Sequence, residues 1–227
     1  MKTAEKILLT SLELFNQHGE ANITCVDIAL ELDISPGNLY YHFRGKEAII
    51  DALFDMYLAR TSKILVSPSS DQLSIASFFH YLSSLLESAH LFSFIYRNPT
   101  DLLHKYPSIT KRFNKLISSK KQAFDAILTH FQQHNVIIAD TLELESLSQL
   151  INLVFTQSQN YFLLTQHDIQ QQEISIQSLR WLFHTISPYL NIDDEERTVL
   201  LTAIENETTL TGNSKDQQLL KRAFDVP

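Results

Sequence analysis

At 227 residues and 44% hydrophobic, the chain is long enough for one sizeable core or two small ones, and 4 Gly, 6 Pro and no sustained alternating run argue for an all-α protein. A single cysteine, Cys25, excludes an internal disulfide framework and suits a reducing cytoplasm. Neither a secretory signal nor an apolar run of membrane-spanning length is present, so a cytoplasmic protein is expected. The net charge of −8 excludes a uniformly basic nucleic-acid binder, so any DNA-binding surface has to be local.

Residues 2–18 read as a first helix with Ile7, Leu8, Leu12 and Phe15 on its buried side and Gly19 placed to cap its end. Thr24 is a natural N-cap for a second, short helix, on which Val26, Ile28, Ala29 and Leu32 supply an apolar face. Asp33-Ile34-Ser35 interrupts, with Ile34 suited to plug a corner. Ser35 followed by Pro36 reads as another N-cap with proline at the first helical position. Leu39 and Phe43 share one face of this third helix, which leaves Pro36, Gly37, Asn38, Tyr40, Tyr41 and His42 at its start and on its other side. Two short helices joined by a tight corner form a helix-turn-helix, whose second helix can enter the DNA major groove. Gly37 permits a close backbone approach, Asn38 offers donor and acceptor to a base edge, and the Tyr40, Tyr41 and His42 tips reach phosphates or bases. Lys46, at the positive end of the next helix, can hold a phosphate. Residues 1–65 carry six Lys/Arg against nine Asp/Glu, yet no acid falls between Ser35 and Lys46, where Arg44, Lys46 and His42 make a modest basic tip. A polar-faced helical hairpin with no DNA role has the same spacing.

The segment from Ile7 to Ile50 resembles the N-terminal domain of TetR-type transcriptional repressors. The likeness is carried by LFNQHG (Leu14 to Gly19), by T-x-x-D-I-A from Thr24, by ISPGNLYYHF from Ile34, and by KEAII from Lys46. It implies a three-helix DNA-binding head on a helical effector-binding and dimerisation domain. Carried over by position, Thr24, Ser35, Gly37, Asn38, Tyr40, Tyr41, His42 and Lys46 fall where that family touches operator DNA, with Pro36 beside them. Pro36 itself stands where many members carry Lys or another polar residue, which removes a possible charge contact. On this resemblance the functional division is drawn inside the fourth helix, as 1–46 and 47–227.

That fourth helix runs from Lys46 through Ile49, Ile50, Leu53, Phe54 and Tyr57 to about Leu65, and residues 66–71 form a polar, proline-broken linker. A helix follows from about Asp71 to Ala89. Asn98-Pro99 and Pro107 then make residues 90–106 a short broken helix or loop. A long helix from Pro107 to Gln133 carries Ile109, Phe113, Leu116, Phe124, Ile127, Leu128 and Phe131 on one stripe. Between Arg97 and Lys121 stand seven basic residues and one acid, read either as a solvated helix face or as an anion-attracting rim. The pattern F-x-F-I-Y-R-N…P-S-I-T-K-R-F in this section resembles a subgroup of TetR-like repressors. Helices over 139–166 and 172–187 come next, then one from Asp193-Asp194-Glu195-Glu196, whose acids suit a helix N-terminus. Beyond Thr208 a loop is expected, with a short helix through Leu219, Leu220 and Phe224.

The 14 Phe and 8 Tyr are mostly core, but an aromatic-lined bundle can leave a pocket for an apolar or amphipathic effector. Phe79, Phe92, Arg97, Phe113, Phe124 and Tyr161 are the expected lining. The last two long helices are either packed wholly within the monomer or paired with a symmetry mate. The resemblance implies the second, a homodimer through Leu147, Leu150, Ile151, Val154, Phe155, Leu179, Leu182, Phe183 and Ile186. No nucleophile elbow, glycine-rich phosphate loop or cofactor motif occurs, and His130 and His134 at i and i+4 lack a third ligand. The expectation is therefore neither an enzyme nor a metal site. It is a repressor that releases a palindromic double-stranded operator when a small effector moves two recognition helices set ~34–36 Å apart. The other reading is a DNA-binding protein of the same fold without an effector.

Overall fold

The computed structural model describes residues 2–66, 73–165 and 171–210, and of residues 171–172 and 205–210 the backbone alone. Among the described residues there are eleven helices and no strand: α1 Thr3–His18, α2 Cys25–Glu31, α3 Pro36–His42, α4 Lys46–Leu65, α5 Ile75–Leu91, α6 Phe94–Arg97, α7 Pro99–Lys105, α8 Pro107–Gln133, α9 Thr141–Thr165, α10 Gln171–Ile186 and α11 Asp194–Leu210. An isolated bridge, Ile137 to Leu190, ties the α8–α9 connection to the end of α10.

Reciprocal caps set three of the starts. Thr24 accepts from the Asp27 N–H at 3.2 Å while its own N–H donates to the Asp27 carboxylate at 2.8 Å. Asp140 with Glu143, and Asp193 with Glu196, repeat the arrangement. Pro36, Pro99 and Pro107 each occupy the first turn of a helix, where the missing N–H leaves no bond unmade. Gly45 opens α4 at φ 136°, a backbone conformation that side chains rarely adopt, and Asp33 turns the α2–α3 corner at φ 52°. The predicted broken stretch over 90–106 resolves into α6 and α7. The last described helix reaches Leu210, two residues past the predicted stop at Thr208. The 67–71 part of the linker and the Leu219–Phe224 helix lie outside the described residues.

Two apolar clusters form the core. One runs from Ile7, Leu12 and Phe15 through Ile28, Leu39, Ile50 and Phe54 to Phe92, Tyr96, Ile109, Phe113 and Leu116. The other joins Phe78, Phe79 and Leu82 of α5 to Phe124 and Phe131 of α8, Ile151 and Phe155 of α9, and Leu179, Leu182 and Phe183 of α10. The long helix α8 serves both, its first half in one cluster and its second half in the other. Val26, expected on the buried side of α2, is instead 46% exposed, because α2 seats Cys25, Ile28 and Ala29 against its neighbours.

Candidate DNA-binding site

The short helix α3 is pinned by one side chain. Leu39 is fully buried, whereas Pro36, Gly37, Asn38, Tyr40, Tyr41 and His42 are all exposed, Tyr41 at 84%. Phe43 closes the helix and is half-buried against the core. The N-cap Ser35 Oγ accepts from the Asn38 N–H at 3.1 Å, and both side chains are exposed. The Tyr41 and His42 rings meet edge-on at 5.1 Å between centroids. Beneath the helix, burial favours the protonated Cys25 thiol and raises its pKa against the opposing influence of the Tyr40 hydroxyl.

Two of the expected DNA contacts have other partners. Thr24, exposed beside α3, gives its hydroxyl hydrogen to Asp27 at 2.7 Å and so serves its own cap. The Asp27 carboxyl is held below its ordinary value, first by the Thr24 hydroxyl and then by the Thr24 N–H. Lys46 does not project freely from the head. Its Nζ pairs with Glu20 Oε1 at 2.6 Å, and its side chain is only 19% exposed. Glu20 is the hub: Lys105 Nζ donates to both of its oxygens at 3.0 and 3.2 Å, and the Tyr106 hydroxyl donates to it as well. Burial works to raise the Glu20 pKa, but hydrogen bonds from Lys46, Tyr106 and Lys105 together bring it below the ordinary value. The same carboxylate raises Tyr106 far above an ordinary phenol, second only to burial itself. Nothing local in the sequence marks Glu20, whose partners stand 26, 85 and 86 residues away.

Among the described residues, the predicted aromatic effector residues fall in three places. Phe92 and Phe113 belong to one apolar cluster and Phe79 and Phe124 to the other, all buried, while Tyr161 is 52% exposed on the outer side of α9 against Trp181. Arg97 lines a cleft of about 170 Å3 at the end of α1 and donates to the Asn16 and Gln17 carbonyls at 3.2 and 3.3 Å. It thus satisfies the unpaired carbonyls of a helix C-terminus, and no member of the predicted aromatic set lines that cleft. Much of the 97–121 basic stretch is paired: Lys105 with Glu20, Arg112 with Asp51 and Asp55, and Lys121 with Asp125. Lys120 departs from that pattern by being buried. It follows Phe113 and Leu116 at helical spacing, and that spacing is the signal that would have placed it inside.

The expected interface residues divide between the inside of the bundle and its surface. Leu147, Ile151, Phe155, Leu179, Leu182, Phe183 and Ile186 are buried inside the monomer, where α9 and α10 pack on α5 and α8; Leu150 is exposed and Val154 half-buried. The outward stripe of α9 consists of Leu142, Leu150, Leu153, Tyr161 and Leu164, each at least 44% exposed. The His130 and His134 rings lie 4.1 Å apart, and among the described residues no group of three metal-ligating side chains gathers.

Residues 7–53 match the family profile described as bacterial regulatory proteins, tetR family, and residues 56–197 match one described as bacterial transcriptional repressor. The chain belongs to the TetR family. The crystal structure of a TetR-family transcriptional regulator from Marinobacter aquaeolei VT8 superposes with a TM-score of 0.78 at 32% identity, over 91% of this chain and 98% of that one. YerO, an uncharacterized HTH-type transcriptional regulator of Bacillus subtilis (strain 168), is 41% identical over 54 residues, 24% of this chain and 19% of that protein. YttP, a probable HTH-type transcriptional regulator of the same organism, is 28% identical over 107 residues, 44% of this chain and 52% of that protein. The chain therefore spans between a fifth and about half of these two relatives. The all-α fold, the helix-turn-helix and a role as a DNA-binding transcriptional regulator follow from membership of the TetR family. No helix among the described residues is long and apolar enough to cross a membrane.

Proposed function

We propose that the protein is a dimeric cytoplasmic repressor, released from a palindromic operator by a small apolar or amphipathic effector. Residues 1–46 act as the reading head and 47–227 as the effector-binding and dimerisation part. The observation that carries this reading is the surface of α3, where one buried leucine holds a helix whose other six residues all face out. Asn38, Tyr40, Tyr41 and His42 read or position DNA, Ser35, Pro36 and Gly37 bring the helix start against the backbone, and Thr24 flanks them. Lys46 acts through Glu20 as much as through phosphate.

Dimerisation is assigned to the outward stripe of α9, Leu150, Leu153, Tyr161 and Leu164, because these apolar side chains are exposed; half-buried Trp181 of α10 packs beside them on Tyr161 and Phe162. Two heads also answer the charge problem, since each contributes few cations and a dimer doubles the contacts. A footprint of the purified protein on the DNA upstream of its own gene tests the reading. A protected, two-fold symmetric site is expected; protection of a single asymmetric half-site, or none at low salt, refutes it.

A further inference from the structure

Among the described residues, one lysine is wholly removed from water. Lys120 is 0% exposed and stands on α8 where the two apolar clusters meet, after Leu116 and before Phe124. Its Nζ donates to the Tyr57 and Tyr96 hydroxyls, each at 3.1 Å. It also lies 5.3–5.8 Å from the ring centroids of Tyr57, Tyr96 and Phe155. Among the described residues no carboxylate pairs with it, unlike Lys46, Lys105 and Lys121 on the same protein. A cation enclosed in this way is normally matched by an anion.

The cluster also has more donors than acceptors. The ammonium and two phenols bring five donor hydrogens, and three are used, in the two lysine bonds and in the 2.7 Å bond between Tyr57 and Tyr96. Among the described residues, one N–H and one O–H remain without an oxygen or nitrogen acceptor. Burial first, then the adjoining Tyr57, holds the Tyr96 hydroxyl well above the ordinary phenol value, so it stays neutral and supplies no negative charge. Tyr96 and Phe155 continue into the wall of a small cavity of about 20 Å3. Gln159, on the same wall, is 7% exposed, and its Nε2 has no partner. That volume admits about one water. Half-buried His90 and Ser175 line the cavity too, so it lies within reach of the surface between α5 and α10.

We propose that this cluster is the effector site and that it takes a small organic monoanion, a carboxylate on a compact apolar body. Lys120 and the unsatisfied tyrosine hydroxyl hold the carboxylate, the Gln159 amide donates to it, and the apolar body lies on Phe155 and Ile174. One buried ammonium matches one negative charge; a phosphate dianion would leave a net charge in an apolar wall. The proposal rests on the effector-responsive reading given above, and its occupant enlarges the cavity between α5, α9 and α10.

The test uses the full chain with benzoate and hexanoate as probes and benzamide and hexanamide as neutral counterparts, read by calorimetry and thermal melting. At least one acid is expected to bind saturably and raise the Tm, while its amide does neither. K120M is expected to bind that acid at least about tenfold more weakly, with a free-protein Tm no lower than the wild type. If K120M does not fold, Q159L leaves the Lys120 bonds intact and is expected to weaken the acid by about threefold or more. Equal binding of amide and acid, or K120M affinity within about twofold of wild type, overturns the site, as does no saturable shift with either acid at about 20 mM. A free K120M that melts lower and an acid that never binds identify Lys120 as a structural strut, which also overturns it. The same samples on the footprinted operator separate the two readings. Release by the acid in wild type and not in K120M joins the site to regulation. Lys120-dependent binding with operator affinity unchanged keeps the site and removes the effector-release reading.

Discussion

Gly37→Ala separates folding from DNA reading. Gly37 is the second residue of α3, its φ is negative, and a Cβ built there meets only Ser35 Oγ, at 3.8 Å. Nothing inside the protein therefore needs glycine at this position. Alanine restricts the unfolded chain and favours the helix, which stabilises by about 0.4–1 kcal/mol where the native conformation suits it. For a chain of this length that corresponds to a Tm rise of about 1–4 °C. Against the operator the sign reverses. The new methyl group stands on the exposed first turn of α3, where the backbone is proposed to meet DNA, and a gap of even one methyl in that approach is expected to weaken binding at least about tenfold, or ~1.4 kcal/mol. Thermal melting and fluorescence anisotropy on the footprinted operator give the two numbers. Unchanged operator affinity would show that α3 does not approach DNA through its first turn. A fall in Tm would show that the open space around Gly37 has been misread.

Tyr41→Ala removes a side chain 84% in solvent, so stability should stay within about 0.5 kcal/mol while operator affinity falls about tenfold; a matching drop in Tm would make Tyr41 part of the core. Glu20→Gln leaves Lys46 and Lys105 facing each other without their carboxylate and should cost about 2–3 kcal/mol by urea unfolding, toward the low side for a broken buried pair because Lys105 is 43% exposed. The Glu20 pKa is depressed in the folded protein, so its contribution is complete above the ordinary value of 4.5 and is lost as pH falls through the lowered one; the wild type should lose stability over that acid window and E20Q should lose less. The double variant L153D/L164D places two charges on the outward stripe of α9 and should sediment as a folded monomer; a persisting dimer would move the interface elsewhere.

Where a structural decision is local, the sequence already contains it. Thr24 with Asp27, Ser35 with Pro36, Pro107, and Asp193 with Glu196 start helices by bonds made within three or four residues, and the corresponding helices begin within two residues of their expected starts. Exposure of α3 was legible for the same reason, since a seven-residue helix with one buried leucine has little freedom in how it faces. The long helices are different. On α9, Leu147, Ile151 and Phe155 satisfy helical spacing, and so do Leu150, Leu153, Tyr161 and Leu164; only packing on α5, α8 and α10 decides that the first set goes inside. Aromatic content likewise said nothing about which rings would share a cavity, and the predicted five were divided between two clusters and the surface. Charge was hardest to place: Lys46 and Lys105 are ordinary surface residues by sequence until Glu20, far from both in the chain, draws them together.

Those distant bonds bear on how a signal in the body reaches the head. The division drawn at residue 47 falls inside α4, yet the apolar cluster that starts at Ile7 continues past it to Leu116 without a seam. A hinge at residue 47 would have to strip Ile49, Ile50, Leu53 and Phe54 from their neighbours, at roughly 1.5–3 kcal/mol for each side chain fully exposed. It would also break the bonds of Lys105 and Tyr106 to Glu20 and the Arg97 bonds to the end of α1. Moving the head together with α6, α7 and the first half of α8 costs none of these. Tyr106 stands directly before α8, and Lys120 lies fourteen residues further along, roughly 21 Å at 1.5 Å per residue. On the proposed effector-release reading, a displacement of α8 at Lys120 would pass along that helix to Tyr106, from Tyr106 to Glu20, and from Glu20 to Lys46 at the start of α4. Operator spacing would then change by tilting whole heads, with α3 held on its own helices by the buried Leu39.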